Sequence, residues 1–123
     1  MKKEVHWVNV LTDEWDSAVI YCTPKEAERY TKRRYKKNYK GFGDVDYDVR
    51  AITFWDHEFG ATIFINKDLR KNPKDILETA VHESYHLISY VAKRVGIKDD
   101  EWFGETLEYV VNQIIKIFKI KIV

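Results

Sequence analysis

The feature that most constrains this chain is the segment of residues 81–86, where two histidines stand four positions apart. The segment is V-H-E-S-Y-H, which contains the pattern H-E-x-x-H. On an α-helix, side chains four residues apart lie one turn apart on the same face, so His82 and His86 can bind one metal ion. Glu83 points to the side of that pair and can reach a metal-bound water without being a ligand. The pattern predicts a zinc site with Glu83 as general base.

Start and stop signals place this pattern in the middle of a long helix. Asn72 is a suitable N-cap, Pro73 fits the first helical position, and Gly96 fits a left-handed C-cap. The residues of the expected inward face recur at helical spacing: Leu77, Ala80, Val81, Ser84, Leu87, Ile88, Val91 and Val95. His82 and His86 fall roughly opposite this stripe, so their face is either exposed or covered by another element.

A last helix follows, and it offers a cover for the histidines. Asp99 or Asp100 is expected to cap it, and the short link through Gly96 favours an antiparallel helix pair. Its apolar stripe is Phe103, Leu107, Val110, Val111, Ile114 and Ile117. Its other side carries Glu101, Glu105, Glu108, Tyr109 and Asn112. A carboxylate near its start is expected to come back beside the two histidines.

The third zinc ligand is expected to be one of these carboxylates. A catalytic zinc ion takes three protein ligands and keeps one open position. None of the four histidines follows His86, so a downstream histidine is excluded. Glu105 is the first choice, because it shares a helix face with Tyr109 at four residues' spacing, and Glu101, one turn earlier, is the second.

These two motifs together resemble the gluzincin clan of zinc metallopeptidases. In that clan an H-E-x-x-H helix is followed by a helix that supplies a glutamate ligand. Residues 105–109 (E-T-L-E-Y) are similar to the clan's pattern around that glutamate, with a second glutamate where a small residue is usual. The resemblance implies that His82, His86 and Glu105 bind Zn²⁺ and that Glu83 is the catalytic base.

The resemblance also carries expectations about activity. Residues 60–117 resemble the small metallopeptidases that bacteriophages and prophages encode, which implies a phage protein that hydrolyses peptide bonds through a zinc-activated water. Its substrate would be a peptide or protein. The clan's extra histidine or tyrosine, which stabilises the oxyanion, has no firm match here. Tyr85 and Tyr109 are candidates for contacting the oxyanion or a zinc ligand, and Tyr90 is a further one.

The first half of the chain predicts strands and one helix. The expected strands are residues 5–11, Ser17–Cys22, residues 47–55 and Gly60–Asn66, and the expected helix is residues 24–37. With the two later helices, these elements predict a single α+β domain over residues 1–123. It would be a minimal zincin-like domain, with a small, mostly antiparallel sheet against which the H-E-x-x-H helix and the C-terminal helix pack. The strand Gly60–Asn66 could be a sheet edge that binds an extended peptide.

The helix at residues 24–37 supports an alternative function. Lysines and arginines alternate there with Tyr30 and Tyr35, and Tyr39 follows. This composition suits a non-catalytic binding module on the same scaffold, which would contact nucleic acid or a protein partner. The favoured interpretation is a solvated helix whose tyrosines pack inward, since the net charge of the whole chain is only +1.

Length and composition set the remaining expectations. With 123 residues the chain is long enough for one compact domain. The single cysteine, Cys22, excludes an intramolecular disulfide and a multi-cysteine metal site. Neither a signal peptide nor a membrane-spanning stretch is recognised, so a soluble, cytoplasmic protein without a membrane partner is expected. The oligomeric state is left open.

Overall fold

One four-stranded sheet lies at the centre of the computed structural model, which describes residues 4–10, 17–39, 49–56 and 60–120. The strands are β1 (Glu4–Val8), β2 (Ser17–Cys22), β3 (Ala51–Asp56) and β4 (Gly60–Asn66), in the sheet order β1-β2-β4-β3. The helices are α1 (Pro24–Tyr35), α2 (Pro73–Val95) and α3 (Asp100–Ile117). The pairs β1–β2 and β3–β4 are antiparallel, and β2–β4 is parallel. The predicted α+β fold with a mostly antiparallel sheet is confirmed.

The helices cover both faces of this sheet. Successive strand residues point to opposite faces, and the apolar side chains accordingly divide into two buried clusters. The larger joins Val19, Ile63 and Ile65 of the sheet to Leu87, Ile88 and Val91 of α2 and to Val110 and Ile114 of α3. The smaller joins Ile20, Cys22 and Phe64 to Ala27 of α1. The fold therefore has three layers, with α2 and α3 on one face of the sheet and α1 on the other.

Strand β1 is shorter than the predicted strand at residues 5–11, because the chain leaves the sheet after Val8. The backbone N–H of Asn9 donates to Oε1 of Gln113, 2.9 Å away. Nε2 of Gln113 donates in turn to the carbonyl of Asn9 at 2.8 Å. These two bonds attach the end of β1 to α3.

Strand β3 also starts later than predicted, at Ala51 instead of residue 47. The side chain of Asn66 donates to the carbonyl of Val49 at 2.9 Å, and its backbone N–H donates to the carbonyl of Arg50 at 2.9 Å. A buried asparagine therefore holds the two residues that lead into the strand. The predicted residues 47 and 48 lie outside the described part of the chain.

The expectation that Gly60–Asn66 forms a sheet edge is wrong. This strand, β4, lies between β2 and β3, and all seven of its residues are buried. A continuous apolar run is typical of a strand with neighbours on both sides. The edge strand that packs beside α2 is β3, whose outer side has no strand partner in the described ranges.

The predicted helix boundaries agree closely with those observed. Helix α1 begins with a capping box between Thr23 and Glu26. Asn72 caps α2, and Asp99 caps α3 through its side chain. Gly96 ends α2 with φ 77° and ψ 25°, which is the expected left-handed C-cap. Local capping chemistry therefore sets where these helices start and where α2 stops.

Several predictions concern residues outside the described ranges. The sequence also predicts a loop at residues 41–44, a turn that contains His57 and a short strand over residues 117–123, and of these the structure does not describe residues 41–44, His57 or residues 121–123. Just before that point, α3 ends at Ile117 and the backbone N–H of Ile120 donates to the carbonyl of Ile115. No helix in the described part of the chain is long and apolar enough to cross a membrane.

Two glycines predict opposite effects of the same substitution. Gly96 has a positive φ, and a Cβ there meets no atom within 4 Å, so Gly96→Ala should cost about 1 kcal/mol from backbone strain alone. Gly104 lies inside α3 with equally open surroundings, so Gly104→Ala should stabilise the fold by roughly 0.5–1 kcal/mol. Urea unfolding of both variants checks this pair. Equal signs of the two changes would contradict the assigned backbone conformations.

Candidate metal centre

His82 and His86 converge on one point at the solvent-facing side of α2. Their Nε2 atoms are 3.2 Å apart, and their ring centroids are 4.8 Å apart. Two imidazole ligands of a tetrahedral zinc, each about 2.0–2.1 Å from the ion, stand about 3.3 Å from each other. The pair therefore already has the spacing that a shared zinc ion requires, and the side chain of His82 is 70% exposed.

Glu83 is positioned differently from its two neighbours in the motif. It is only 6% exposed, and its Oε1 accepts a hydrogen bond from the hydroxyl of Thr53 at 2.8 Å. Its second carboxylate oxygen, Oε2, lies 3.8 Å from Nε2 of His82. One oxygen is thus held by the sheet while the other faces the histidine pair. His82, Glu83 and His86 form the one group of three or more potential metal ligands among the described residues, with ligand atoms within 4.8 Å of one another.

Thr53 belongs to β3, and sequence reasoning did not identify it. Its partner is 30 residues away in the chain, and the strand register that brings them together depends on β4. The hydroxyl of Thr53 also lies 3.3 Å from the backbone carbonyl of Glu83. A lone threonine in an apolar strand was the available signal, but it does not reveal which helix residue it would contact.

Ala51 and Trp55 lie on the same side of β3 as Thr53, and both face α2. Trp55 stacks on Tyr90 with ring centroids 4.6 Å apart and an interplanar angle of 22°. Burial raises the pKa of Tyr90, Arg94 lowers it, and Asp56 raises it further. The phenol of Tyr90 therefore remains protonated at neutral pH and can donate a hydrogen bond. Strand β3 thus runs along α2, with Ala51 at one end and this aromatic pair at the other.

The third ligand remains a prediction. Glu105 and Glu101 both lie on the exposed side of α3, and neither belongs to the ligand group formed around the two histidines. The start of α3 does reach the motif, because the ring of Phe103 packs edge-on against Tyr85 at 5.4 Å. The backbone therefore brings the first turns of α3 beside the residue that precedes His86.

The two tyrosines proposed to contact the oxyanion or a ligand occupy different surroundings. Tyr85 is 54% exposed, and its ring centroid lies 6.0 Å from that of His86. Tyr109 is 41% exposed on α3, and its carbonyl lies 3.4 Å from the side-chain nitrogen of Gln113. Tyr85 is thus adjacent to the histidine pair, whereas the role of Tyr109 stays a prediction.

A pocket of about 400 Å³ opens beside His82 and Glu83. Three chain segments line it: the entrance to β3, the turn after β4, and the first half of α2. The lining residues are Val49, Arg50, Ala51, Arg70, Glu78, Thr79, His82 and Glu83. The motif residues therefore face a concave surface as well as open solvent, which is the usual setting of a small-molecule or peptide site.

The tyrosines of the basic helix pack inward, as the favoured interpretation expected. Tyr35 is 5% exposed, and its hydroxyl lies 2.8 Å from that of Thr62. Tyr30 packs against the smaller core cluster. Arg34 lies over the ring of Trp7 at 5.0 Å. The remaining cations of this helix and the following turn are exposed: Lys25, Arg29, Lys32, Arg33, Lys36 and Lys37. They lie on the face of the sheet opposite the histidine pair.

Comparisons with known proteins add no assignment to this geometry. No protein-family model matches the chain, and searches of curated proteins and solved structures found no significant match. The resemblance to the gluzincin clan therefore stays a hypothesis carried by two short motifs.

Zinc binding is the first property that these distances predict. We expect one zinc ion per chain by elemental analysis. His82→Ala and His86→Ala should each lose it, because either substitution leaves only one of the two converging imidazoles. Glu105→Ala should weaken zinc affinity about tenfold or more, whereas Glu101→Ala is the matched control and should change it little. Absence of zinc after reconstitution would refute the site. Weakening by Glu101→Ala alone would move the third ligand one turn earlier.

Proposed function

We propose that this chain is a zinc-dependent metallopeptidase that hydrolyses peptide bonds. The observation that carries the proposal is the buried carboxylate of Glu83, held by Thr53 beside two converging imidazole nitrogens. Burying an ionisable group is costly unless it is hydrogen-bonded or paired, and here the hydroxyl of Thr53 supplies the hydrogen bond.

The residues of the site have separate roles in this reaction. A bound zinc ion would lower the pKa of water and polarise the carbonyl of the scissile bond. His82 and His86 would hold the ion, with Glu105 proposed as the third ligand. Glu83 accepts a proton from the attacking water through Oε2 and donates it to the leaving amine. Because Oε1 is engaged by the threonine hydroxyl, the carboxylate keeps one oxygen directed at the reacting atoms.

The edge strand β3 supports a peptide as the substrate. The backbone N–H of Asn66 donates to the carbonyl of Arg50, so the backbone groups of Arg50 point toward β4. By the alternation of an antiparallel ladder, the backbone groups of Ala51, Thr53 and Trp55 point to the outer edge. An extended chain can add to such an edge through main-chain hydrogen bonds. A peptide placed there would pass directly beside Glu83.

The alternative function, a non-catalytic module that contacts nucleic acid, rests on the exposed cations around α1. Their tyrosine neighbours are used in the core, which leaves fewer aromatic faces for base stacking. The cations and the histidine pair lie on opposite faces of the sheet, so the two functions can be separated by substitution.

Replacement of Glu83 separates the two functions. Glu83→Gln keeps the side-chain shape but removes the proton acceptor, so peptide cleavage should fall at least about 100-fold with zinc content unchanged. The matched test replaces Arg33, Lys36 and Lys37 together by uncharged residues, which should leave peptide cleavage unaffected. Salt-sensitive nucleic-acid binding that is lost on neutralisation but kept in Glu83→Gln, without cleavage by the native chain, would instead establish the binding module.

Thr53 is predicted to be a positioning residue for Glu83. Thr53→Val removes the hydroxyl at nearly constant volume, and we expect kcat to fall about tenfold or more with KM and zinc content little changed. Thr53→Ser retains the hydroxyl and should keep most of the activity. Similar losses in both variants would show that packing of the threonine methyl group matters, and would contradict a role for the hydrogen bond.

A further inference from the structure

The pocket beside His82 is lined by Arg70, whose guanidinium is largely shielded from solvent and makes one long ion pair. The side chain of Arg70 is 11% exposed, and its Nε is buried without an acceptor in the described part of the chain. Its ion-pair partner is Asp75, with Nη1 and Oδ1 3.6 Å apart, which is too long for a good hydrogen bond. The other oxygen of Asp75 accepts from the side chain of Asn72 at 2.8 Å. Arg70 thus has donor capacity that the fold does not use.

The backbone holds Arg70 in place. The hydroxyl of Tyr21 donates to the carbonyl of Arg70 at 2.6 Å, and the Arg70 N–H donates to the carbonyl of Asn66 at 2.9 Å. Both partners belong to strands at the centre of the sheet. A guanidinium that projects from a fixed backbone beside a pocket can offer its Nη donors to a carboxylate, which accepts two hydrogen bonds.

We propose that this pocket is a subsite for a carboxylate of the substrate, bound by Arg70. The inference rests on the proposed peptidase function, since it names the substrate class of that site. A carboxylate matches the planar donor fork of arginine better than other groups of a peptide do. The pocket volume of about 400 Å³ admits an aspartate or glutamate side chain or a free C-terminus.

The two acidic residues that line the pocket do not oppose this assignment. The side chain of Glu78 is 61% exposed and lies 4.0 Å from Lys74, so solvent and that lysine screen its charge. Glu83 directs its oxygens at Thr53 and His82. Arg70, in contrast, is largely shielded from solvent, and a charge-assisted bond to it is weakened less by screening.

The spacing along α2 sets the distance between this carboxylate and the scissile bond. The guanidinium of Arg70 lies beside Asp75, which is seven residues before His82 on α2. Seven residues correspond to about 10 Å along the helix axis, at about 1.5 Å per residue. An extended peptide advances about 3.3 Å per residue. The recognised carboxylate should therefore lie two to three residues from the bond that is cleaved.

Small matched ligands test the subsite without requiring catalysis. Three probes are compared. N-acetylglutamate α-amide has only a side-chain carboxylate, N-acetylglutamine has only a C-terminal carboxylate, and N-acetylglutamine α-amide has neither. Binding to the zinc-loaded protein is measured by NMR titration at constant ionic strength. We expect saturable binding of at least one carboxylate probe, and at least about tenfold weaker binding of the neutral amide. The better of the two acids identifies the source of the carboxylate.

Two variants assign the effect to the guanidinium. Arg70→Met should weaken the binding of the carboxylate probe about tenfold or more, whereas Asp75→Asn, which removes the same ion pair, should preserve or strengthen it. Equal weakening in both variants would show that Arg70 only anchors α2, and would overturn the proposal. Binding unchanged in Arg70→Met would place the carboxylate on Arg50, which also lines the pocket, or on the zinc ion, and would also overturn the proposal.

Peptide cleavage then separates this proposal from the proposed function. Paired peptides carry Glu or Gln two or three residues from the cleaved bond, and the native protein should prefer Glu about tenfold in kcat/KM. In Arg70→Met, the ratio of kcat/KM for the Glu peptide to that for the Gln peptide should fall toward one. Probe binding without cleavage of any peptide would refute the peptidase function and leave the carboxylate subsite standing. Cleavage without a preference, together with no probe binding, would refute the subsite alone.

Discussion

The packing of one face of α2 against the sheet determines both the core and the candidate site. Leu87, Ile88 and Val91 are completely buried on that face. The opposite face of the helix carries His82 and His86 into solvent, because residues on an α-helix return to the same side only every three or four positions. Glu83 lies between the two faces, where the helix meets the edge strand. A single helix orientation thus fills the core, exposes the histidine pair and buries the carboxylate.

Local sequence signals were sufficient for the elements and for the motif. The caps at Asn72 and Gly96 define α2 by hydrogen-bonding and backbone preferences that act within a few residues, and these preferences hold in the fold. The apolar run Gly60–Asn66 likewise predicted β4 with its observed ends. The placement of His82 and His86 on one face, one turn apart, follows from helix geometry, so it needed no tertiary information.

The parts that were missed depend on contacts between distant residues. Whether Gly60–Asn66 is central or at an edge depends on its parallel pairing with β2, which a run of apolar residues does not specify. The hydrogen bond from Thr53 to Glu83 and the burial of Arg70 both require the order of the strands and the position of α2 upon them. The choice between Glu105 and Glu101 depends on the rotation of α3 and on side-chain rotamers, which helical periodicity leaves undetermined.

The buried carboxylate of Glu83 also has a consequence for the evolution and engineering of this fold. Replacing both members of a buried hydrogen-bonded pair, here Glu83 and Thr53, by apolar side chains of similar size can be nearly neutral or stabilising. Stability and the proposed chemistry therefore make opposite demands on this pair. A selection for thermal resistance alone would tend to remove the carboxylate, whereas a selection for turnover would retain it, so this position records which of the two pressures acted on the chain.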